Sequence, residues 1–105
     1  MSERVLPSSP IHRALTLLGG KWTFRILYEL SLVECARYRQ LRSAMPGISN
    51  GKLSAILREL EQTGLIVRRQ FNEVPLHVEY SLSEAGQALL PVFDALETWS
   101  SRYLG

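Results

Sequence analysis

The chain has 105 residues, 46% hydrophobic and 21% charged, with a formal net charge of +2, which suits one soluble domain and leaves little material for a second core. The opening "MSERVLPSSP" lacks a secretory apolar run and no stretch approaches the roughly 18 apolar residues that cross a bilayer, so the expected place is the cytoplasm, without a membrane partner. A single cysteine, Cys35, excludes an intramolecular disulfide and a cysteine-rich zinc site.

Residues 1–10 read as an N-terminal arm broken by Pro7 and Pro10, and residues 11–105 as the folded domain. Ile11, Ala14, Leu15 and Leu18 recur at helical spacing until Gly19 and Gly20 stop the pattern. In "KWTFRILYELS" the side chains of Trp22, Ile26, Leu27 and Leu30 share one face, which predicts a second helix with Trp22 as a core anchor. "ARYRQLRSAM" predicts a brief basic third helix with Tyr38, Leu41 and Met45 inward, ended by Pro46 and Gly47.

Ser49 is a good helix N-cap, and Leu53, Leu57 and Leu60 follow at helical steps until Gly64 closes a fourth helix over residues 49–63. Helix, short "PGIS" break and longer helix make a helix-turn-helix signature. "LIVRRQF" and "HVEYSL" predict two strands of a hairpin over residues 65–82, and a hairpin in this place is a wing. Ser83 and Glu84 open a last helix, in which Pro91 is expected to cause a kink. The expected fold is mainly α with a small β-hairpin wing: four helices, two strands and a fifth helix.

The charges are segregated along this order. Residues 35–57 hold Arg37, Arg39, Arg42 and Lys52 with no acidic residue, whereas residues 79–97 hold Glu79, Glu84, Asp94 and Glu97 with no basic one. The first region is suited to meet anions.

Four stretches in this order, "PIHRALTLLGGKWTFRILYEL", "PGIS", "LRELEQTGLIVRR" and "EVPLHVEYSLSEAG", cover most of the chain. On them the chain resembles the HxlR-type regulators, a branch of the MarR-like winged helix-turn-helix transcription factors. The resemblance implies a homodimeric bacterial regulator that binds double-stranded DNA. By family analogy it also leaves room for a small apolar effector between the dimerising helices and the DNA-binding core.

With Leu53, Leu57 and Leu60 inward, the fourth helix presents Asn50, Gly51, Ser54, Ala55 and Arg58. Asn50 can pair with adenine, Ser54 with a base or phosphate, and Ala55 can touch a thymine methyl. Ser49, Lys52 and Arg58, with Arg37, Arg39 and Gln40 from the preceding helix, are expected near phosphates; Arg58 has Glu59 or Glu61 as an alternative partner. Relatives usually carry long polar side chains near the positions of Gly51, Ala55 and Ile56, so selective reading is expected to lean on Asn50, Ser54 and DNA shape.

On the wing, Arg69, Asn72 and His77 are candidate contacts, and His77 stands where the family usually has Arg or Lys, which would make that contact pH-sensitive. Many relatives carry a sensing cysteine where this chain has Ser9, so that role does not transfer; Cys35 is the candidate thiol sensor instead, with Arg37 and Arg39 expected to lower its pKa. Ile11, Leu15, Leu89, Val92, Phe93, Leu96, Trp99 and Tyr103 are the expected dimer interface. His12 reads as a surface or core-edge residue.

An enzyme is the first rival reading. "GGKWT" fails as a phosphate-binding loop because Leu15 and Trp22 stand where the pattern needs Gly and Ser or Thr. Two distant histidines and one cysteine offer no metal-ligand spacing, no nucleophile–base pair and no implied cofactor. The second rival is a winged helix that binds a protein partner in place of an operator.

Overall fold

Each helix of the computed structural model, which describes residues 9–105, begins or ends where its local chemistry dictates. Of the expected arm, all but Ser9 and Pro10 lie outside the described residues. Helix α1 (Pro10–Leu18) opens with the Ser9 hydroxyl accepting from the His12 backbone N–H at 3.1 Å, and Pro10 occupies the first turn, where its missing N–H goes unused. His12 itself is half-buried. Helix α2 (Thr23–Ser31) buries Ile26, Leu27 and Leu30, with Trp22 packed against the same core.

Helix α3 (Tyr38–Ala44) and helix α4 (Asn50–Gln62) are joined by a tight turn in which Gly47 has φ +96°, a conformation that disfavours any side chain, while the next residue, Ile48, is buried. The turn is therefore pinned from inside as well as bent. Ser49 caps α4 by accepting from the Lys52 backbone N–H at 3.0 Å, an interaction worth about 1 kcal/mol. At the other end, Gly64 at φ +85° donates to the Glu61 carbonyl at 3.1 Å and Leu65 to the Leu60 carbonyl at 2.9 Å. These paired bonds satisfy the last carbonyls and turn the chain into the hairpin.

Strands β1 (Ile66–Phe71) and β2 (His77–Leu82) pair antiparallel from Ile66 opposite Leu82 to Phe71 opposite His77. The loop before α3 adds a contact that the sequence reading does not contain: Ala36 and Tyr80 exchange both backbone hydrogen bonds at 2.8 Å. The start of the helix-turn-helix is thereby tied to the outer strand of the wing.

The last helix is divided. Helix α5 (Glu84–Gln87) is a single turn capped by Ser83, and helix α6 (Leu90–Tyr103) starts afresh with Pro91 in its first turn. The expected kink is absent because a first-turn proline displaces no hydrogen bond.

The core gathers Ile26, Leu27 and Leu30 of α2, Leu41 and Met45 around α3, and Leu53, Ile56, Leu57 and Leu60 of α4, closed by Ile66, Leu82 and Phe93. Each fully buried leucine here contributes about 1.5–3 kcal/mol. Two expectations are corrected. Ile56 is a core residue, 5% exposed, and cannot face DNA. Phe93 is 6% exposed and packs its ring on Phe24 at 4.9 Å and Tyr28 at 5.6 Å, so it is a core residue of the protomer and not part of an exposed dimer-forming stripe, and Leu89 is partly buried beside it.

Helix α1 buries no residue and α6 only Phe93. The radius of gyration is 15.6 Å over extents of 58 × 33 × 26 Å, against ~13 Å for a compact domain of this length. Among the described residues no helix is long and apolar enough to cross a membrane.

Candidate nucleic-acid interface

The outward face of α3 and α4 is cationic, and its charges have no carboxylate partners. Among the described residues, none of Arg37, Arg39, Arg42, Lys52, Arg58 and Arg68 forms an ion pair, and all six are exposed. Arg58 thus takes neither Glu59 nor Glu61. Exposed cations without carboxylate partners make this face positive and suited to meet an anion.

The side chains that could read bases are organised by Tyr38. Its hydroxyl lies 3.0 Å from both the Asn50 backbone carbonyl and Asn50 Oδ1, and accepts from Ser54 Oγ at 3.4 Å. Asn50, Gly51, Lys52 and Ala55 are exposed, whereas Ser54 is half-buried with its proton directed inward. Gln40 has a structural duty, because its Oε1 accepts from the Arg37 backbone N–H at 2.8 Å and so caps α3. Sequence reasoning puts Tyr38 in the buried stripe; its ring does pack on the core, and the hydroxyl at the far end does the organising.

The wing has two faces. On one, Arg68 shares a pocket of about 200 Å³ with Tyr38, Ser54, Arg58, Glu61 and Tyr80, beside the outward side of α4. Arg68 is absent from the sequence reading, although strand alternation could have found it, since it lies two residues from buried Ile66. On the other, Arg69 stacks over Phe71 at 4.8 Å and Phe71 lies 4.7 Å from the His77 ring. Asn72 is exposed in the loop between the strands. A groove of about 560 Å³, lined by Arg37, Tyr38, Arg39, Gln40, Leu76 and Val78, separates the start of α3 from the wing.

His77 departs from expectation. Its Nδ1 lies 2.8 Å from Glu73 Oε1 and its Nε2 2.9 Å from Glu79 Oε2, so both nitrogens are used within the wing and neither is offered to phosphate. Cys35 departs as well. Its thiol pKa is raised, first by a hydrogen bond to Glu79, then by desolvation and by the charges of Glu79 and Glu34; Arg37 and Arg39 do not lower it. The thiolate that would react is therefore scarce at neutral pH. At pH 7 iodoacetamide should alkylate Cys35 more slowly than an unperturbed exposed cysteine, with the rate still climbing above the usual thiol range. Glu79→Gln should speed the pH 7 reaction, and equal rates in the two proteins would show that Glu79 does not hold the proton.

An exposed helix pair of free cations with a hairpin braced against it through Ala36 and Tyr80 is the architecture of winged helix-turn-helix DNA-binding transcriptional regulators. More narrowly, the chain belongs to the HxlR-like helix-turn-helix family, whose model matches residues 17–105. It is 47% identical over 91 residues to the HTH-type transcriptional regulator YdzF of Bacillus subtilis strain 168, covering 87% of this chain and 84% of that protein. Its fold is similar to that of a MarR-family transcriptional regulator from Porphyromonas gingivalis W83, with a TM-score of 0.85 and 34% identity over 91% of this chain and 93% of the other. The oxidized form of the redox regulator HypR is also similar, at TM-score 0.81 and 33% identity, over 90% of this chain and 96% of that one.

Proposed function

We propose that the protein acts in the cytoplasm as a homodimer that binds a palindromic operator, with α4 in the major groove and the wing along the flanking backbone. The observation that carries this reading is the set of six exposed cations without ion pairs on α3, α4 and β1, three of whose neighbours in space, Tyr38, Asn50 and Ser54, can order a base-reading group. Arg37, Arg39, Lys52, Arg58 and Arg68 hold phosphates; Asn50 reads a base; Ser49 and Gln40 fix the helix starts. Arg69 and Asn72 lie where a wing meets backbone or minor groove. The exposed apolar stripe of α1 and α6, with Ile11 at 68%, Leu15 at 63%, Trp99 at 53% and Tyr103 at 65% exposure, supports an isologous dimer. For the small apolar effector implied by the family, there is a groove of about 520 Å³ between α2 and α6, walled by Phe24, Tyr28, Phe93 and Leu96.

Selection from random duplexes should return a palindromic consensus. On that duplex, log affinity should fall linearly with log salt by about 0.9 per phosphate contact, and the double variant Arg37→Ala, Arg39→Ala, which removes two contacts from each protomer of the dimer, should flatten the slope by about 3.6 while weakening all sequences alike. Binding that is neither saturable nor salt-dependent would favour the rival in which the winged helix contacts a protein partner.

A further inference from the structure

Asn50 is the first residue of α4 and is exposed, so nothing in the helix itself would stop its amide from sampling several rotamers. Tyr38 supplies the missing constraint. Its ring packs against the core, and two residues upstream Ala36 is tied to Tyr80 of β2 by two 2.8 Å backbone bonds, so the hydroxyl is held by both the domain core and the wing. It carries one proton and stands 3.0 Å from two Asn50 oxygens, the backbone carbonyl and Oδ1, while Ser54 Oγ can donate to it at 3.4 Å. The chain Ser54 to Tyr38 to Asn50 runs in one direction, and each bond polarises the next.

We propose that Tyr38 is a positioning residue for base recognition, fixing Asn50 before DNA arrives so that its amide presents one N–H group and the remaining Oδ1 lone pair to a single adenine in each half-site. The inference rests on the operator-binding reading above. The donor and acceptor count is consistent with it. Oδ1 has two lone pairs, and after accepting from Tyr38 it can still accept from adenine N6 while Nδ2 donates to N7. Ser54 then serves as the rear of the relay, which changes its expected part from base reader to support. Preordering of this kind removes a rotamer cost from binding the correct sequence and adds nothing to phosphate attraction, so its signature is selectivity without a change in charge.

The test compares wild type, Tyr38→Phe, Asn50→Ala and the double variant on the selected operator and on duplexes substituted at the position read by Asn50. Tyr38→Phe keeps the ring and should reduce the preference for adenine there about tenfold, with the salt slope and the affinity for unrelated DNA unchanged. Asn50→Ala should show a similar or larger loss, and the double variant no more than Asn50→Ala alone. Fully additive losses, or unchanged discrimination in Tyr38→Phe, would overturn the proposal. So would a uniform loss on all sequences, matched and unrelated alike, which would make Tyr38 a hydrogen-bond donor to phosphate. Side-chain 15N relaxation of the free wild-type protein gives a check that needs no variant: the Asn50 amide should be restricted, and free rotamer averaging counts against the idea. Wild-type protein that binds no duplex sinks the operator reading itself, which separates the two failures.

Discussion

Replacing Leu96 and Trp99 together with glutamate is expected to give a folded monomer whose operator affinity falls by roughly 10²–10⁴-fold while its weak binding to unrelated DNA persists. Both residues stand on the exposed side of α6, at 47% and 53% exposure, and neither belongs to the core that holds the protomer together. Folding should therefore survive. In an isologous interface each substituted residue enters the same patch twice, so the double variant sets four carboxylates near one two-fold axis, where burial of unpaired charge opposes association. The loss of affinity follows from geometry: two recognition helices about 34 Å apart bind their half-sites cooperatively because the second encounter is intramolecular, and a monomer forfeits that advantage. Sedimentation equilibrium and operator titration check the two halves of this expectation. A variant that stays dimeric would show that α6 is not the interface, and a monomer that binds the operator as tightly as wild type would show that the interface is not needed for reading. Phe93→Ala is the contrasting case, since it hollows the packing of Phe24 and Tyr28 inside one protomer and should lower stability by about 3–5 kcal/mol.

The order of elements was legible because each boundary has a local cause. Ser49 and Ser83 cap helices through their own hydroxyls, Gly47 and Gly64 take positive φ, and helical apolar spacing stops at Gly64, with alternation in the second strand at Val78, Tyr80 and Leu82. Hydrophobic spacing also found seven of the eight buried side chains of α2, α3 and α4, but it left Ile56 out of the inward stripe, because a helix face broader than a single leucine stripe cannot be told from a narrow one without knowing what packs on it. The α5–α6 division was misread for a related reason: one proline is compatible with a kinked helix or a new first turn, and the preceding chain geometry decides between them.

The site was legible in its charges and illegible in its pairings. A run of basic residues without acidic neighbours is visible in one dimension, and the cations of α3 and α4 remain free in three. The relay through Tyr38 joins residues 12 and 16 positions apart, and the Glu79 contact to Cys35 depends on Ala36 docking against Tyr80. Such contacts follow from which loop meets which strand edge. Proximity in sequence to Arg37 and Arg39 consequently gave the wrong sign for the Cys35 thiol, and the family's basic wing position gave the wrong partner for His77.

Two glycines with nearly the same sequence signal should respond to alanine in opposite directions. Gly86 lies in the single turn of α5, pressed against the start of the hairpin, and an alanine Cβ there would sit 2.3 Å from the Leu65 backbone carbonyl and 3.0 Å from Leu82 Cδ2. A backbone carbonyl cannot swing aside as a side-chain end can. Leu65 O also accepts from the Ser83 backbone N–H at 3.0 Å, and the Ser83 hydroxyl both donates to Gly64 O at 2.6 Å and accepts from Gly86 N–H at 3.1 Å, so relief of the clash must loosen the clasp that closes the hairpin. Overpacking against such a fixed group costs about 3 kcal/mol, which for a chain of this size lowers the midpoint of thermal unfolding by roughly 10–20 °C. Gly51 faces outward in the first turn of α4 with nothing within 4 Å of an added Cβ, and its backbone is helical, so Gly51→Ala should raise stability by up to about 1 kcal/mol. Calorimetry on the two variants decides the matter. A stable Gly86→Ala protein would mean that α5 can shift away from Leu65, and a destabilised Gly51→Ala would mean that the start of α4 is packed more closely than its exposure indicates. Because the fold gains from alanine at residue 51 and does not require glycine there, a Gly51→Ala variant that is more stable yet weaker on the operator would assign the missing side chain to close approach of α4 and DNA.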